Sequence, residues 1–189
     1  MNNLLPFVIL ILFIAIQRVV ELFIAKSNEK WLKRQGAIEF GNKHYKYLVF
    51  MHLLFFVALS TEKVLLNRGL SAVWPIFLAV FMLAQFMRGW AISSLGKYWN
   101  TKILVLKHAQ VVRKGPYRLL KHPNYFVVTT ELLVVPLLFN AFYTALLFTI
   151  FNFMILSIRI PEEEKALSMY TEYDEVFRGC HRFIPRIVK

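Results

Sequence analysis

The stretch KGPYRLLKHPNYFVVTTELLVV, residues 114–135, runs from a basic, aromatic and proline-containing loop directly into an apolar segment. An apolar segment preceded by basic residues is typical of a helix that enters a membrane from the cytoplasm. To mark the cytoplasmic end of such a helix, only the basic residues are required. The additional motif of His122, Pro123 and Tyr125 therefore suggests that this membrane boundary also carries chemistry. Within the motif, Pro123 predicts the first turn of a helix.

The composition is that of an integral membrane protein. Of the 189 residues, 58% are hydrophobic and 18% are charged, and the mean hydropathy is +0.51. A soluble domain of this length carries more charge and shorter apolar runs. The formal net charge of +12 comes from basic residues clustered beside the apolar runs, which indicates membrane topology and argues against nucleic-acid binding. The single cysteine excludes a disulfide within the chain, and the five histidines lack the spacing of metal ligands, so we expect no metal.

The apolar runs predict an all-α protein with five membrane-spanning helices. The first three cover residues 4–25, 45–66 and 73–95. The last two lie within residues 125–160, where Pro136 and Asn140 interrupt the run. At 1.5 Å per residue this segment reaches about 54 Å, slightly less than two full crossings of a roughly 30 Å hydrocarbon core require. We therefore predict a tight helical hairpin with Asn140 near its tip.

The charges of the connecting loops orient these helices. Residues 26–46 and 96–122 are rich in lysine and arginine, whereas the alternate connections carry almost no charge. The positive-inside rule places both basic loops and the C-terminus in the cytoplasm, and the N-terminus outside.

Several polar residues fall within the predicted spans. Arg18 and Glu21 are three residues apart near the end of the first span, and Gln85 and Arg88 share one face of the third. Glu131 lies two turns into the fourth span, where a carboxylate must face protein or a cavity. Two roles are open for Glu131. It can accept a buried hydrogen bond from Gln85 or Arg88, or it can line a tunnel for a substrate.

A second polar stretch, RIPEEEKALSMYTEYDEVFRGCHRFIP, covers residues 159–185. Arg159 and Glu163 are four residues apart and therefore share a face of the helix that leaves the membrane. We expect Glu162, Glu163 and Glu164 to form the first helical turn after Pro161, where negative charge is favoured. The charge pattern alone would indicate a solvated amphipathic helix, but that reading leaves an arginine at the membrane exit unexplained.

Together the two stretches resemble a known family. The ordered motifs are Gly-Pro-Tyr at residues 115–117, Lys-His-Pro-x-Tyr at 121–125, a hydrophobic hairpin, Arg-x-x-Glu-Glu at 159–163, Tyr-x-x-Tyr at 170–173 and Arg-Phe-Ile-Pro at 182–185. They resemble the C-terminal half of the isoprenylcysteine carboxyl methyltransferase family over roughly residues 111–186. Residues 1–95 match that family only as membrane spans.

The resemblance implies an integral-membrane methyltransferase that uses S-adenosylmethionine. Residues 1–95 would form three spans with a basic cytoplasmic loop, and residues 96–189 the cofactor-binding catalytic region, whose pocket a cytoplasmic C-terminal helix completes. The residues that the resemblance assigns to the cofactor are Gly115, Pro116, Tyr117, His122, Pro123, Tyr125 and Glu162. In agreement, the seven glycines never form the GxGxxG fingerprint of a soluble dinucleotide-binding domain.

The resemblance also implies the catalytic residues. Arg159 would steer the acceptor oxygen, and Glu163 would position Arg159 or the cofactor. Methyl transfer from a sulfonium to an oxygen anion requires alignment, an ionised acceptor and little water, and Arg159 could hold a carboxylate or an acidic enol. Arg88 and Glu131 are the candidates for an acceptor tunnel.

Two positions depart from the family pattern. Lys121 stands where the family usually has arginine, and lysine keeps the charge but loses the bidentate fork. Val127 stands where the family usually has glycine, which would narrow a passage between helices and favour an acceptor other than prenylcysteine. The stretch HPNYFVVTTELLVVP, residues 122–136, is similar to bacterial members associated with alkylpyrone O-methylation. We therefore expect a bacterial plasma-membrane protein with a lipophilic acceptor that enters from the bilayer.

Three other functions remain open. A phospholipid N-methyltransferase would use the same cofactor on a neutral amine, for which Arg159 would hold no anion. A membrane reductase would use NADPH, although this chain is short for the extra spans of such an enzyme. A non-catalytic membrane protein would bind neither cofactor. The sequence makes no prediction of the oligomeric state.

Overall fold

The computed structural model describes residues 4–183, with the side chains of Lys43 and His44 left aside. The last two residues of the Arg-Phe-Ile-Pro motif, Ile184 and Pro185, and the C-terminal Lys189 lie outside the described residues. The elements in chain order are helices α1 (Leu4–Arg34), α2 (Asn42–Leu65), α3 (Trp74–Leu95), α4 (Pro123–Leu138), α5 (Phe142–Tyr170) and α6 (Tyr173–Val176), with strands β1 (Ile38–Phe40) between α1 and α2 and β2 (Ile103–Val105) between α3 and α4.

Within the described residues, four helices are long and apolar enough to cross a membrane. They are Leu4–Arg34, Tyr45–Leu65, Trp74–Tyr98 and Phe142–Tyr170. The fifth apolar helix, Pro123–Leu138, has 16 residues, about 24 Å of helix. The first three predicted spans are confirmed as helices, and the fourth of the long helices belongs to the predicted hairpin. A full crossing by α4 stays a prediction.

The hairpin forms around the residue that the sequence indicated. α4 and α5 are joined by residues 139–141, and Asn140 takes a positive φ of 55°. Its side-chain amide donates to the carbonyl of Gly69, 3.3 Å away. The carboxylate of Glu62 on α2 accepts from the backbone nitrogen and the hydroxyl of Thr144, both at 2.7 Å, so a negative charge stabilises the N-terminus of α5. Pro136 lies inside α4 rather than between two helices.

Two expectations about the fold were wrong. The protein is mostly helical but not all-α, because β1 and β2 pair antiparallel, with Ile38 opposite Val105 and Phe40 opposite Ile103. Such three-residue strands are too short to produce a recognisable alternation in the sequence. The pair ties the connection between α1 and α2 to the loop that follows α3.

The second correction concerns Pro161, which does not start a new helix. α5 continues through it to Tyr170, so residues 162–164 form the interior of a helix rather than its first turn. A proline inside a helix removes one hydrogen bond. Buried residues on both sides of Pro161, among them Leu156, Arg159 and Ala166, keep the helix continuous through tertiary packing. The separate C-terminal helix expected beyond the membrane is therefore the end of α5, followed only by the short α6.

The largest of the buried apolar clusters among the described residues lies toward the end of the bundle opposite the basic loops. Its aromatic residues include Phe7 of α1, Phe55 of α2, Phe81 of α3 and Phe148 of α5. Phe148 packs edge-on against Phe55, with ring centroids 5.4 Å apart. This packed end holds the helices together and leaves the other end, where the basic loops meet, available for a cavity.

Candidate active site

A cavity of about 360 Å³ opens among the helix ends nearest the basic loops. It brings together residues from both predicted motif stretches, which are far apart in the sequence. The predicted site residues that line it are Arg88, Tyr117, His122, Tyr125, Arg159 and Glu163. Gly115, Pro116, Pro123, Glu131 and Glu162 are not among the lining residues in the described part of the chain.

Arg159 and Glu163 are joined through the hydroxyl of Tyr125. The Nε of Arg159 donates to this hydroxyl at 2.8 Å, and the hydroxyl donates to Oε2 of Glu163 at 2.5 Å. The guanidinium carbon also lies 5.9 Å from the centroid of the Tyr125 ring. Arg159 is only 3% exposed. The predicted pairing of Arg159 with Glu163 is thus indirect, and Tyr125 supplies the link.

A backbone carbonyl holds the other side of the guanidinium. The Nη2 of Arg159 donates to the carbonyl oxygen of Thr101 at 2.5 Å, and the hydroxyls of Thr101 and Tyr45 lie 3.2 Å apart. Within residues 4–183 these contacts use the N–H of Nε and one of the two on Nη2, so both N–H groups of Nη1 and the second one of Nη2 can donate to a ligand. The sequence contained no signal for Thr101, because a main-chain acceptor leaves no trace in residue identity.

The segment that contains Thr101 is hydrogen-bonded to α1. Asn28 of α1 donates from Nδ2 to the carbonyl of Trp99 at 2.7 Å. In return, Asn100 donates from Nδ2 to the carbonyl of Ala25 at 2.9 Å. We call residues 99–102 the α1 strap. Because both asparagines bond to main chain, they fix the path of the strap and with it the position of the Thr101 carbonyl.

At the surface, four charged side chains add ion pairs between this segment and residues 29–39. Lys102 reaches Glu29 at 2.8 Å and Glu39 at 3.1 Å, and Lys33 reaches the same two carboxylates at 2.6 and 2.9 Å. The hydrogen bond to Glu29 is the main reason why the pKa of Lys102 is raised. Burial alone would raise the pKa of Glu39, but the hydrogen bonds and charges of the two lysines outweigh it, so this pKa is lowered. All four groups stay charged at neutral pH.

His122 occupies the N-cap of α4, directly before the buried Pro123 at the first helical turn. Its Nε2 lies 3.1 Å from Oε1 of Glu164, and its ring is 5.4 Å from that of Tyr125. Arg182 donates to both oxygens of the Glu164 carboxylate. Glu164 therefore orients His122, a role that the sequence did not assign to it.

The carboxylate of Glu162 contacts a different part of the protein from those of Glu163 and Glu164. A Cβ added at Gly41, directly before α2, would lie 3.2 Å from Oε2 of Glu162. The carboxylate is thus packed against the start of α2. Successive residues of an α-helix point about 100° apart, so three neighbouring glutamates on α5 serve three different surroundings. The assignment of Glu162 to the cofactor stays a prediction from the resemblance.

The Gly-Pro-Tyr motif forms a 3₁₀ turn that packs on α3. Gly115 has a φ of +59°, and a Cβ there would lie 2.1 Å from Oγ of Ser94, so only glycine fits this close approach. Pro116 is fully buried. These two residues place Tyr117 in the cavity wall. Burial, and after it the charge of Glu163, raises the pKa of Tyr117, which keeps its hydroxyl neutral.

Arg88 and Glu131 belong to a buried ion cluster between the helices. Arg88 donates to Glu21 at 3.1 Å and also to Glu131, and Arg18 bonds the same two carboxylates. Gln85 donates to Glu131 at 2.5 Å. The hydrogen-bonding alternative for Glu131 is therefore the one that the geometry supports. Arg88 reaches the cavity, whereas Glu131 lies behind it.

The two departures from the family pattern have different surroundings. Lys121 places its Nζ 5.6 Å from the ring centroid of Tyr173, so its charge rests on an aromatic face rather than on a bidentate partner. Val127 is completely buried, and its neighbour Val128 is the one that lines the cavity.

Comparison with known proteins shows which family the chain is similar to. The model of the isoprenylcysteine carboxyl methyltransferase family matches residues 76–169, from the start of α3 to the end of α5. The chain belongs to this family, as its motifs predicted, and the match includes α3, which the motif comparison had treated only as a span. Membership and the long apolar helices define an integral membrane protein of a methyltransferase family.

Two bacterial relatives are similar over most of their length. An uncharacterized protein, YpbQ, of Bacillus subtilis (strain 168) is 49% identical over 165 residues, which is 87% of this chain and 98% of the relative. An uncharacterized protein of Haemophilus influenzae (strain ATCC 51907 / DSM 11121 / KW20 / Rd) is 33% identical over 152 residues, 80% of this chain and 88% of the relative. Even the shorter alignment is longer than residues 76–189, so in both relatives the likeness extends N-terminally into α2.

Proposed function

We propose that the protein is an S-adenosylmethionine-dependent methyltransferase that methylates an oxygen of a lipophilic acceptor, either a carboxylate or an acidic enol. The observation that carries this proposal is the hydrogen bonding of Arg159. Two fixed partners, Tyr125 and Thr101, hold its guanidinium at the cavity wall, and N–H groups of Nη1 and Nη2 remain to bind an anion. Family membership supplies the reaction class.

The residues of the cavity fit the proposed cofactor. A volume of about 360 Å³ falls within the range of small-molecule sites, about 300–1,000 Å³. The aromatic rings of Tyr117, Tyr125 and Tyr173 offer faces for a purine or a cation. The Nε1 of Trp99 and the hydroxyl of Tyr173 are buried without a partner in the described residues, although both residues line the cavity. Such orphaned polar groups are costly unless a ligand satisfies them.

S-adenosylmethionine supplies an electrophilic methyl group attached to a positively charged sulfur. The protein has to bind the acceptor, align it and exclude water. Arg159 would bind the acceptor anion through charge-assisted hydrogen bonds, which are strong where water is scarce. Tyr125 fixes the plane of the guanidinium, and Glu163 fixes Tyr125. An acceptor that is already ionised requires no general base.

The walls of the cavity support entry of the acceptor from the bilayer. Leu22 of α1 and Val49 and Leu53 of α2 line the cavity, yet they are 50%, 38% and 62% exposed. Side chains that face both the cavity and the outside mark an opening between α1 and α2. On the orientation that the loop charges predict, this opening lies on the cytoplasmic side of a bacterial plasma membrane, with the N-terminus outside. An alkylpyrone-like acceptor fits this class of lipophilic acids.

A binding experiment on purified protein tests the proposed function. S-adenosylhomocysteine and NADPH are titrated separately by calorimetry, and we expect binding of the first alone. Incubation of membranes and a bacterial lipid extract with methyl-labelled S-adenosylmethionine should then produce a labelled methyl ester or enol ether, identified by mass spectrometry. Binding of NADPH alone would indicate the reductase, a labelled amine would indicate the N-methyltransferase, and binding of neither cofactor would indicate a non-catalytic protein.

A further inference from the structure

The cavity contains a second polar level, two helical turns deeper than Arg159. On α5, Asn152 lies seven residues before Arg159, and on α2, His52 lies seven residues after Tyr45. All four side chains line the same cavity. Seven residues of helix span about 10 Å. The antiparallel helices α2 and α5 thus each contribute one polar residue to an upper level and one to a deep level.

The interval between the two levels is apolar. Leu48 lies between Tyr45 and His52 on α2, and Leu156 lies between Asn152 and Arg159 on α5. Both leucines line the cavity. A molecule that extends from Arg159 to His52 therefore meets polar groups near Arg159, an apolar section and then polar groups again.

The deep level carries balanced charge. Arg18, Glu21 and Arg88 line it, and Arg88 is 2% exposed. Two arginines bond to two glutamates there, because Glu131 completes the cluster from behind the wall. Since the cations and anions compensate each other, this level suits a neutral polar group better than a second ionised one.

His52 provides a hydrogen-bond acceptor at the deep level. Its Nδ1 lies 2.8 Å from the carbonyl oxygen of Leu48. A carbonyl only accepts, so Nδ1 carries the proton, and Nε2 of the neutral ring presents its lone pair. Within residues 4–183, no described side chain bonds to Nε2. An aliphatic tail next to this atom would remove it from water and offer nothing in return.

We propose that the deep level is a second subsite of the acceptor pocket, in which His52 accepts a hydrogen bond from a neutral hydroxyl group. The acceptor is then an amphiphile with two polar groups about 10 Å apart, an oxygen anion at Arg159 and a hydroxyl at His52, rather than a plain prenyl or alkyl acid. This inference rests on the proposed function, because Arg159 defines the anionic end.

Two matched fatty acids test the subsite without knowledge of the natural acceptor. An extended chain advances about 1.2 Å per bond, so the hydroxyl of 8-hydroxyoctanoate lies about 10 Å from its carboxyl carbon. Each acid is titrated by calorimetry into detergent-purified protein loaded with S-adenosylhomocysteine. We expect 8-hydroxyoctanoate to bind about five-fold more tightly than octanoate, as one net hydrogen bond predicts. The same affinity for both acids, or no binding of either, would overturn the subsite.

Variants then assign the effect to His52. His52→Leu should abolish the preference and leave octanoate binding in place, whereas His52→Gln, which keeps an acceptor oxygen, should retain part of it. His181→Leu makes the same change at an exposed position outside the cavity and should behave as the unaltered protein. A preference that persists in His52→Leu would contradict the proposal. Binding of S-adenosylhomocysteine, measured first, reports separately on the proposed function.

Discussion

Tyr125→Phe removes a single oxygen atom from the centre of the candidate site. This oxygen accepts from Nε of Arg159 at 2.8 Å and donates to Oε2 of Glu163 at 2.5 Å. The ring, which contacts the guanidinium and lies 5.4 Å from His122, is retained. The substitution therefore changes hydrogen bonding and leaves the shape of the cavity largely intact.

The size of the effect follows from these contacts. Each hydrogen bond to a charged group contributes about 1.5–3 kcal/mol. The contact between Arg159 and Thr101 survives, and cavity water can partly replace the hydroxyl at Glu163, so the net loss of transition-state stabilisation should be near 2 kcal/mol. We expect turnover to fall about 30-fold.

The assay measures the initial rate of labelled methyl incorporation and the affinity for S-adenosylhomocysteine on one preparation. Affinity should change less than three-fold, because the ring proposed to contact the cofactor remains. The control is Tyr47→Phe, at a residue that is 67% exposed, and it should leave turnover unchanged. If Tyr125→Phe retains at least a third of the turnover, the hydroxyl does not position Arg159, and this account of the site is wrong.

Four further outcomes are expected. Arg159→Ala should lower turnover about a hundredfold or more with affinity for S-adenosylhomocysteine largely kept, and Arg159→Lys should not restore it because a point charge lacks the planar fork; normal turnover would contradict this. His122→Ala should weaken binding of S-adenosylhomocysteine in calorimetry more than Glu162→Ala does, since only His122 lines the cavity; the reverse order would favour the assignment from the resemblance. Gly115→Ala should lower the thermal unfolding midpoint by several degrees through a strained φ and a clash, and an unchanged midpoint would show that the turn adapts. A reporter fused after Asn67 should be active outside the cell, and a cytoplasmic signal would overturn the orientation.

Features that depend on local composition could be predicted from the sequence. The long helices follow from apolar runs, and the turn of the hairpin follows from Asn140, which tolerates the positive φ it adopts. The family follows from the order of short motifs. These signals are carried by neighbouring residues, so they need no knowledge of the packing.

The partners within the site could not be predicted in the same way. Glu162, Glu163 and Glu164 are identical in type and adjacent, and only the rotation of α5 against its neighbours decides which one meets Tyr125, which meets His122 and which meets α2. A rotation of 100° per residue makes these assignments mutually exclusive, whereas the resemblance transfers them only as a motif. The continuity of α5 through Pro161 has a similar origin, because packing overrides the local preference of proline to end a helix.

Helix α1 contributes to the site through the α1 strap, residues 99–102. It does so although α1 itself lies outside the segment matched by the family model, residues 76–169. Arg159 comes from α5, but the carbonyl that orients its Nη2 belongs to Thr101, and hydrogen bonds between the strap and Asn28 and Ala25 hold that carbonyl in place. If this carbonyl lay on a loop without such hydrogen bonds, the guanidinium could rotate. Part of the alignment on which methyl transfer depends would then be lost. Anchoring the strap to a membrane helix avoids this loss. The N-terminal helices therefore serve the proposed reaction in two ways, as the walls through which the acceptor enters and as the fixed support for the group that binds it.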